Sequence, residues 1–353
     1  MKKLLVLAVS AFCATGALYA EEDEAVPEGV KKVVLKLVSA ETPSTRTEKW
    51  DPPAVSVTAE TLPFSNQDIQ GATSEEASRM EAENNRIRWE NNRIRASIER
   101  KRDAEALAHY KGTMAKLEGT TFGRQILVAI DKFAGAAGEA FDPDCIEFFH
   151  LMDVLKEAKS DALLSGKKSQ EMSAGYFLKL VFDDPQTKVA QGTVSGTAIK
   201  RTTVKIGVTY QVQDCVSGRI ITSGNVKAEK SERDTGLGDV DERNLVVDAI
   251  DAALEDAAKR INKFFVAKTT IKVIPAKKDK EFDADSATVE VDGAQVETGD
   301  EISLLRGRHK IVVDLDGYKQ AGSKYFDIKK SSTIKVKMRK VVEKKAEKEA
   351  AEE

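Results

Sequence analysis

Residues 204–213 read VKIGVTYQVQ and residues 246–265 read VVDAIDAALEDAAKRINKFF. In the first stretch Val204, Ile206, Val208, Tyr210 and Val212 sit two apart, separated by Lys205, Gly207, Thr209 and Gln211. Alternation of this kind puts one strand face in a core and the other in water, which suits an antiparallel sheet. In the second stretch Val246, Val247, Ile250, Ala253, Leu254, Ala257, Ile261, Phe264 and Phe265 recur at steps of three and four, while Asp248, Asp251, Glu255 and Asn262 take the other side. That is one apolar stripe on a helix. Acidic residues (Asp239, Asp241, Glu242) precede it and basic ones (Lys259, Arg260, Lys263) close it, in the order the helix dipole favours. Working outward, the spacing predicts a hairpin of Val189–Ile199 and Thr203–Gln213, a turn over Asp214–Gly218, a third strand over Arg219–Ala228, and the helix over Leu245–Phe265.

The run VAQGTVSGTAIKRTTVKIGVTYQVQDCVSGRIITSGNVKAEKSER, with its Ala-rich helix, resembles the periplasmic α/β domain of curli-assembly transport proteins. It is also similar to the domain of outer-membrane lipoproteins that activate penicillin-binding proteins. The turn Val212-Gln-Asp214-Cys215-Val-Ser-Gly218-Arg-Ile220 carries much of the likeness. The resemblance implies a central mixed α/β sheet domain over residues 119–266. Within it QILVAIDKF is expected as a strand, GAAGEAFDPDC as a loop, CIEFFHLMDVLKEAKSDALL as a helix and GYFLKLVFDD as a strand.

Residues 268–340 change character. Short alternating strands (TTIKVIP, ATVEVDGAQV, GRHKIVVDLDGY, STIKVKMRK) are separated by turns at Asp292-Gly293, Arg306-Gly307 and Asp316-Gly317, the pattern of a small β-sandwich. Val289, Val291, Asp292, Gly293, Gly307, His309, Ile311, Val313, Gly317 and Tyr318 make the stretch resemble the PEGA domain, a surface-associated β module. That likeness implies interaction rather than catalysis.

The remaining segments set the organisation. Residues 1–20 have Lys2 and Lys3, an apolar run from Leu4 and small residues before Glu21, the layout of a secretory signal peptide. Phe12 before Cys13 does not fit a lipoprotein cleavage pattern. Residues 21–72 read as a flexible arm, with Val33–Val38 as one short strand, four prolines after it (Pro43, Pro52, Pro53 and Pro63), and Trp50 and Phe64 as docking points. Thr73 with Glu76 resembles a capping box that opens a long polar helix over 73–118. Its tandem heptad, with Met80, Ile87 and Ile94 seven apart and Asn84 and Asn91 beside them, reads either as a coiled coil that would make a homo-oligomer or as a solvated single helix held by Glu–Arg pairs. Residues 341–353 are a charged tail. The fold class is therefore α+β multidomain: a long N-terminal helix, the α/β sheet domain and the PEGA-like sandwich.

The chain has 353 residues, 41% hydrophobic and 32% charged, with a formal net charge of −3. Without Lys2 and Lys3 the balance is 53 basic to 58 acidic, which gives no reason to expect nucleic-acid binding. No other segment is apolar for long enough to span a membrane as a helix. Cys145 and Cys215 remain after the leader, and an exported compartment permits either a bridge between them or two buried thiols.

Catalytic patterns are incomplete. Ser165-Gly-Lys-Lys168 fits S-x-x-K but lacks the companion motifs of penicillin-interacting enzymes. Ser195 lies outside a nucleophile elbow, Gly135-Ala-Ala-Gly138 lacks the lysine and serine of a phosphate loop, and Asp234–Asp241 lacks a full calcium-loop pattern. The spacing of His109, His150 and His309 matches no metal site. The expectation is an exported, non-catalytic envelope scaffold with no cofactor, contacting envelope proteins or peptidoglycan in the periplasm or at the cell surface. The alternatives are a subunit of an outer-membrane secretion or assembly channel, and a hydrolase of unrecognised type.

Overall fold

The computed structural model describes residues 30–45, 73–150, 173–194, 197–234, 241–277, 279, 282–319 and 321–341. The expected leader, Trp50 and Phe64, the Ser165–Lys168 motif and the charged tail beyond Val341 lie outside them. The fold is α+β, as expected, with one six-stranded sheet, two four-stranded sheets and three helices among the described residues.

The chain enters through β1 (Lys32–Glu41), then runs through α1 (Ser74–Glu118), α2 (Thr121–Ala140), β2 (Ile146–His150) and β3 (Ser173–Phe182). β4 (Gln186–Val194), β5 (Thr197–Asp214) and β6 (Ile220–Asp234) follow, and α3 (Glu242–Phe265) closes the unit. β1 lies between β2 and β3 and is parallel to both, whereas β5 runs antiparallel to β3, β4 and β6. The segment expected as a flexible arm thus supplies an interior strand. Val33, Leu35, Leu37, Val38 and Ala40 are fully buried. A strand covered on both faces reads as a continuous apolar run, which is why Val33–Val38 lacked a clear alternation.

A β-bulge decides what β1 shows to each side. Leu37 pairs with Leu178, but Ser39, not Val38, pairs with Lys179, so Val38 is the extra residue. One extra residue inverts the alternation. Leu35 and Leu37 therefore point to one face, while Lys36, Ser39 and Glu41 share the other. The first face is apolar. Phe148 beside Leu35 stacks on Phe141 and meets Phe133 of α2 edge-on, and Tyr176, also beside Leu35, packs on Phe265 of α3. The second face is polar and lies under α1.

Three secondary-structure expectations differ from the structure. QILVAIDKF is part of α2, not a strand. Ile126, Ala129, Ile130 and Phe133 are buried at helical steps, a period that the β-branched content masked. Conversely, Ile146–His150 is strand β2, not the start of a helix, and His150 ends that strand. The predicted hairpin turn near residues 200–202 is also displaced. Val194 already pairs with Thr197, so the link falls at residues 195–196, outside the described residues, and β5 runs unbroken for 18 residues.

The helix expectations fare better. Asp241 caps α3, accepting from Arg243 N at 3.0 Å, and the stripe of Val246, Ile250, Ala253, Leu254, Ala257, Ile261 and Phe265 is buried. Leu245, Ala249 and Ala258 join it. The capping box of α1 forms with both reciprocal bonds between Thr73 and Glu76. The helix does not stand apart as a rod, however. Asn84, Arg102, Asp103, Ala106, Tyr110, Thr113 and Leu117 are buried along it.

α3 runs without a linker into the sandwich. β7 (Val266–Pro275), β8 (Thr288–Val291), β9 (Ala294–Val296), β10 (Glu301–Leu305), β11 (Gly307–Asp314), β12 (Tyr318–Lys319), β13 (Ala321–Ile328) and β14 (Ser332–Lys340) form two sheets. Their orders are β10-β7-β14-β12 and β13-β11-β8-β9. Ile271, Val273, Val289, Val291, Ile311, Val313, Val336 and Met338 fill the space between them. Val266 and Leu305 instead belong to the core of the first unit, and Arg306 N donates to Phe265 O at 2.6 Å, so the junction is packed.

Candidate functional site

The polar face of β1 meets a polar stripe of α1, and the contact is a buried ionic core. Lys36 Nζ donates to both carboxylate oxygens of Asp103, at 2.9 and 2.7 Å, and lies 3.9 Å from Glu99. Glu99 in turn accepts from the backbone N–H of Gly175 on β3 at 3.0 Å. One turn back along the helix Arg95 binds Asp214 at 2.5 Å. Asp214 also accepts from Val216 N, Ser217 N and Ser217 Oγ, which closes the turn that the sequence placed there. Farther along, His109 faces Glu41 at 3.9 Å.

Burial dominates the titration of this cluster. It pushes the carboxyls of Glu99 and Asp103 upward, and Lys36 pulls both back only in part. Burial lowers the pKa of Lys36, but Cys215, Asp103 and Glu99 around it outweigh burial and leave it raised. Burial also lowers His109. Buried charges persist only when paired and hydrogen-bonded. Here one lysine serves two carboxylates, and a backbone N–H serves the second.

Cys145 and Cys215 are both buried and free. The bridge allowed by the sequence is not formed. Cys145 precedes β2, where its carbonyl accepts from Val33 N, and Cys215 follows β5, where its N–H donates to Gly175 O on β3. β1 and β3 therefore lie between them. At about 4.8 Å per strand the separation is roughly 14 Å, against a limit near 7 Å between Cα atoms. Burial raises Cys145 to about 12 and Cys215 well above the ordinary thiol value.

The motif residues of the sandwich converge. Asp292 (φ 51°) and Gly293 (φ 83°) form the tight turn between β8 and β9, both left-handed as such hairpins require. Asp292 Oδ2 lies 2.7 Å from His309 Nδ1, Leu305 O lies 2.6 Å from His309 Nε2, and Lys310 N donates to Asp292 Oδ1 at 2.8 Å. Both ring nitrogens of His309 face acceptors, an arrangement that the doubly protonated imidazolium satisfies on both sides. Burial on its own lowers its pKa, but the Asp292 bond and charge reverse this and leave it raised. Burial opposes ionisation of Asp292, yet His309 holds that carboxyl below its usual value. Val289, Val291, Ile311 and Val313 are core, and Tyr318 donates to Asp279 at 2.7 Å. The sandwich also touches α1, through Lys310–Glu81 at 3.2 Å and Arg88 over the Tyr325 ring.

The open surface of the first unit is a three-stranded blade. β3 pairs with the C-terminal half of β5, and β4 takes the same side of β5 farther on, from Gln186↔Lys205 to Val194↔Thr197. β6 flanks the other side as far as Asp234. Lys188, Val189, Ala190, Arg201, Thr203, Lys205 and Glu229 line a shallow depression of about 520 Å³ on this blade. Val189 is 52% exposed, and Lys205 pairs with Glu229 at 2.7 Å. Among the described residues no cluster of His, Cys, Asp and Glu has the makings of a metal site, and no helix is long and apolar enough to cross a membrane.

Sequence reasoning missed Lys36, Arg95, Glu99 and Asp103. The available signal was the recurrence of charge along one side of α1 (Arg88, Arg95, Glu99, Arg102 at steps of seven, four and three, with Asp103 beside them), the side that carries Ala106, Tyr110, Thr113 and Leu117.

No family model matches the chain and no curated protein matches it, so neither the curli-transport likeness nor the PEGA likeness is matched by a family model. Three solved structures are similar in part. A minor lipoprotein from Acinetobacter baumannii shares 16% identity, covering 31% of this chain and 83% of that one at a TM-score of 0.21. A protein described as a lipoprotein from Caulobacter crescentus shares 19%, covering 31% and 74% at 0.17. A protein described as a neuraminyllactose-binding hemagglutinin homolog from Helicobacter pylori shares 10%, covering 69% and 88% at 0.25. At these TM-scores the likenesses support no assignment.

Proposed function

We propose that the chain is an exported cell-envelope scaffold that docks envelope proteins or peptidoglycan and breaks no bond. The observation that carries this reading is the division of labour in the first unit. Its buried ionisable groups are engaged with one another under α1, while what it presents outward is a blade with a broad, shallow, mixed-charge depression. Small-molecule sites are concave and enclose most of their ligand. A shallow face suits a macromolecule. The leader-like first 20 residues and the resemblance of the sandwich to a surface-associated module agree with an envelope setting.

The test is capture from a solubilised envelope fraction with the chain from Glu21 to Glu353 as bait. A Lys188→Glu, Arg201→Glu variant changes the blade and leaves the core intact. Loss of the captured species with that variant supports the reading. Unchanged capture, or none from either bait, refutes it.

The blade favours one second reading, a ring-forming assembly subunit. β4 and β6 each pair with β5 on one side only, so β4 of one copy can add to β6 of the next. Lys188, Arg201 and Lys205 on one face, and Lys200 on the other, make this a ring in water rather than a lipid-facing wall. A monomer mass by light scattering excludes it.

A further inference from the structure

The outer face of the sheet β10-β7-β14-β12 is a field of cations. Along β7 Ile271 and Val273 point into the sandwich core, so Lys272 points out. Along β14 Val336 and Met338 are buried, so Lys335, Lys337 and Arg339 point out. Tyr318 packs inward beside them and Lys319 faces outward. Register brings these residues together. Lys272 pairs directly with Lys335, and Lys319 directly with Arg339. All five are exposed, and among the described residues none of them pairs with a carboxylate. The acid on this face, Glu301, is taken by Lys268 at 3.1 Å.

Like charges directly opposite on neighbouring strands destabilise a sheet. Two such pairs on one face, with Lys337 between them, are a cost that a bound anion relieves. The layout says what kind. Cations along β14 repeat every ~7 Å, and β7 and β12 add others about 4.8 Å to either side, so the field is two-dimensional. A linear polyanion touches one row of it. A planar anionic surface touches all of it at once. The side chains interleaved with these cations, Thr270, Ile274 and Thr333, include no aromatic ring on which a sugar or base could stack.

We propose that this face is an electrostatic docking surface for an anionic lipid leaflet. The proposal deepens the scaffold reading and rests on it, since it names the surface on which the sandwich would hold the chain. Contact is peripheral, through lysine and arginine at headgroup level, with nothing inserted. The association then falls steeply with salt, because exposed charges are screened beyond about 8 Å at physiological ionic strength.

Co-sedimentation of the chain from Glu21 to Glu353 with vesicles tests it. The vesicles are phosphatidylcholine alone, or phosphatidylcholine with about one-third phosphatidylglycerol, at low and physiological salt. The expected result is binding to the anionic vesicles only, weakened by salt. Lys335→Glu with Lys337→Glu should lower partitioning at least about tenfold, with circular dichroism unchanged and the thermal midpoint held or raised, since Lys272 then faces a carboxylate. A Lys188→Glu, Arg201→Glu variant, altered on the blade, should partition as the unmodified chain does. Soluble polyphosphate provides the competing arm. Tighter binding to polyphosphate than to vesicles, or vesicle binding indifferent to the Lys335 and Lys337 reversals, overturns the proposal. If vesicle binding is absent while envelope capture persists, the lipid surface is wrong and the scaffold reading stands; if both are absent, both fall.

Discussion

Lys36 of β1 and Asp103 of α1, 67 positions apart in the chain, form a two-oxygen ion pair at 2.7 and 2.9 Å with both side chains almost fully buried. The pair fastens the helix to a sheet face that would otherwise hold unpaired charge. Removing one partner strands the other. Lys36→Met is expected to cost about 3–5 kcal/mol, read as a lower urea midpoint with an unchanged slope. Replacing both, as in Lys36→Met with Asp103→Leu, should recover part of the loss. If the double variant is no more stable than the single, the pair is not the fastening.

Gly175 is the second part of that contact. A Cβ there would sit 2.7 Å from Glu99 Oε2 and 3.2 Å from Lys36 Nζ. Because the Glu99 carboxylate is tied to the Gly175 N–H, it has little room to retreat. Gly175→Ala should cost roughly 1–3 kcal/mol, the range of overpacking. Neighbouring changes are not additive, so the same substitution should cost less in a Glu99→Ala background. Equal costs in both backgrounds would show that Glu99 is not what the methyl meets.

These contacts explain what the sequence reveals and what it hides. α3 was legible because its stripe is apolar from Val246 to Phe265 and its charges follow the dipole. The sandwich was legible from its turns, since Asp292-Gly293 and Asp316-Gly317 announce hairpins. β1 was hidden because the evidence for a central strand lies in its partners. β2 and β3 come more than 100 residues later, and proline-rich sequence follows β1 directly. α1 looked like a spacer because the part of its inward stripe before Ala106 is polar: Arg95 and Glu99 are nearly buried and Arg102 and Asp103 are buried, and no hydrophobic pattern finds them. The Asn84 and Asn91 row does face inward, but toward the chain's own body. The bulge at Val38, which turns Ser39 and Glu41 toward α1, follows from pairing and has no local signal.

The two thiols are expected to behave as inert core groups. In the chain from Glu21 to Glu353, Cys145 and Cys215 are the two cysteines. Both are buried, and burial raises Cys145 to about 12, so thiolate is scarce at neutral pH. A thiol reagent should therefore label the folded chain slowly and titrate two thiols after unfolding. Treatment with reductant should leave the thermal midpoint unchanged. A reductant-dependent midpoint would mean that a bridge forms after all.

His309 gives the sandwich a defined pH window. Its folded pKa is raised above the ordinary histidine value. The stabilisation it brings is therefore complete below about pH 6.5 and is lost as pH rises through the folded pKa. Asp292 is shifted the other way. Its share is present above about pH 4 and disappears as pH falls through its own folded value. The two together predict greatest sandwich stability between roughly pH 4 and 6.5, with a decline on the alkaline side set by His309. His309→Gln removes the cation from between Asp292 Oδ2 and Leu305 O. It should cost about 1–3 kcal/mol at pH 6, in the range for charged hydrogen bonds, and flatten the alkaline decline. Thermal unfolding across pH 5 to about 9, on the unmodified chain and on this variant, separates the outcomes. Parallel curves for the two would place the alkaline loss elsewhere, because a neutral side chain at position 309 leaves nothing there to titrate.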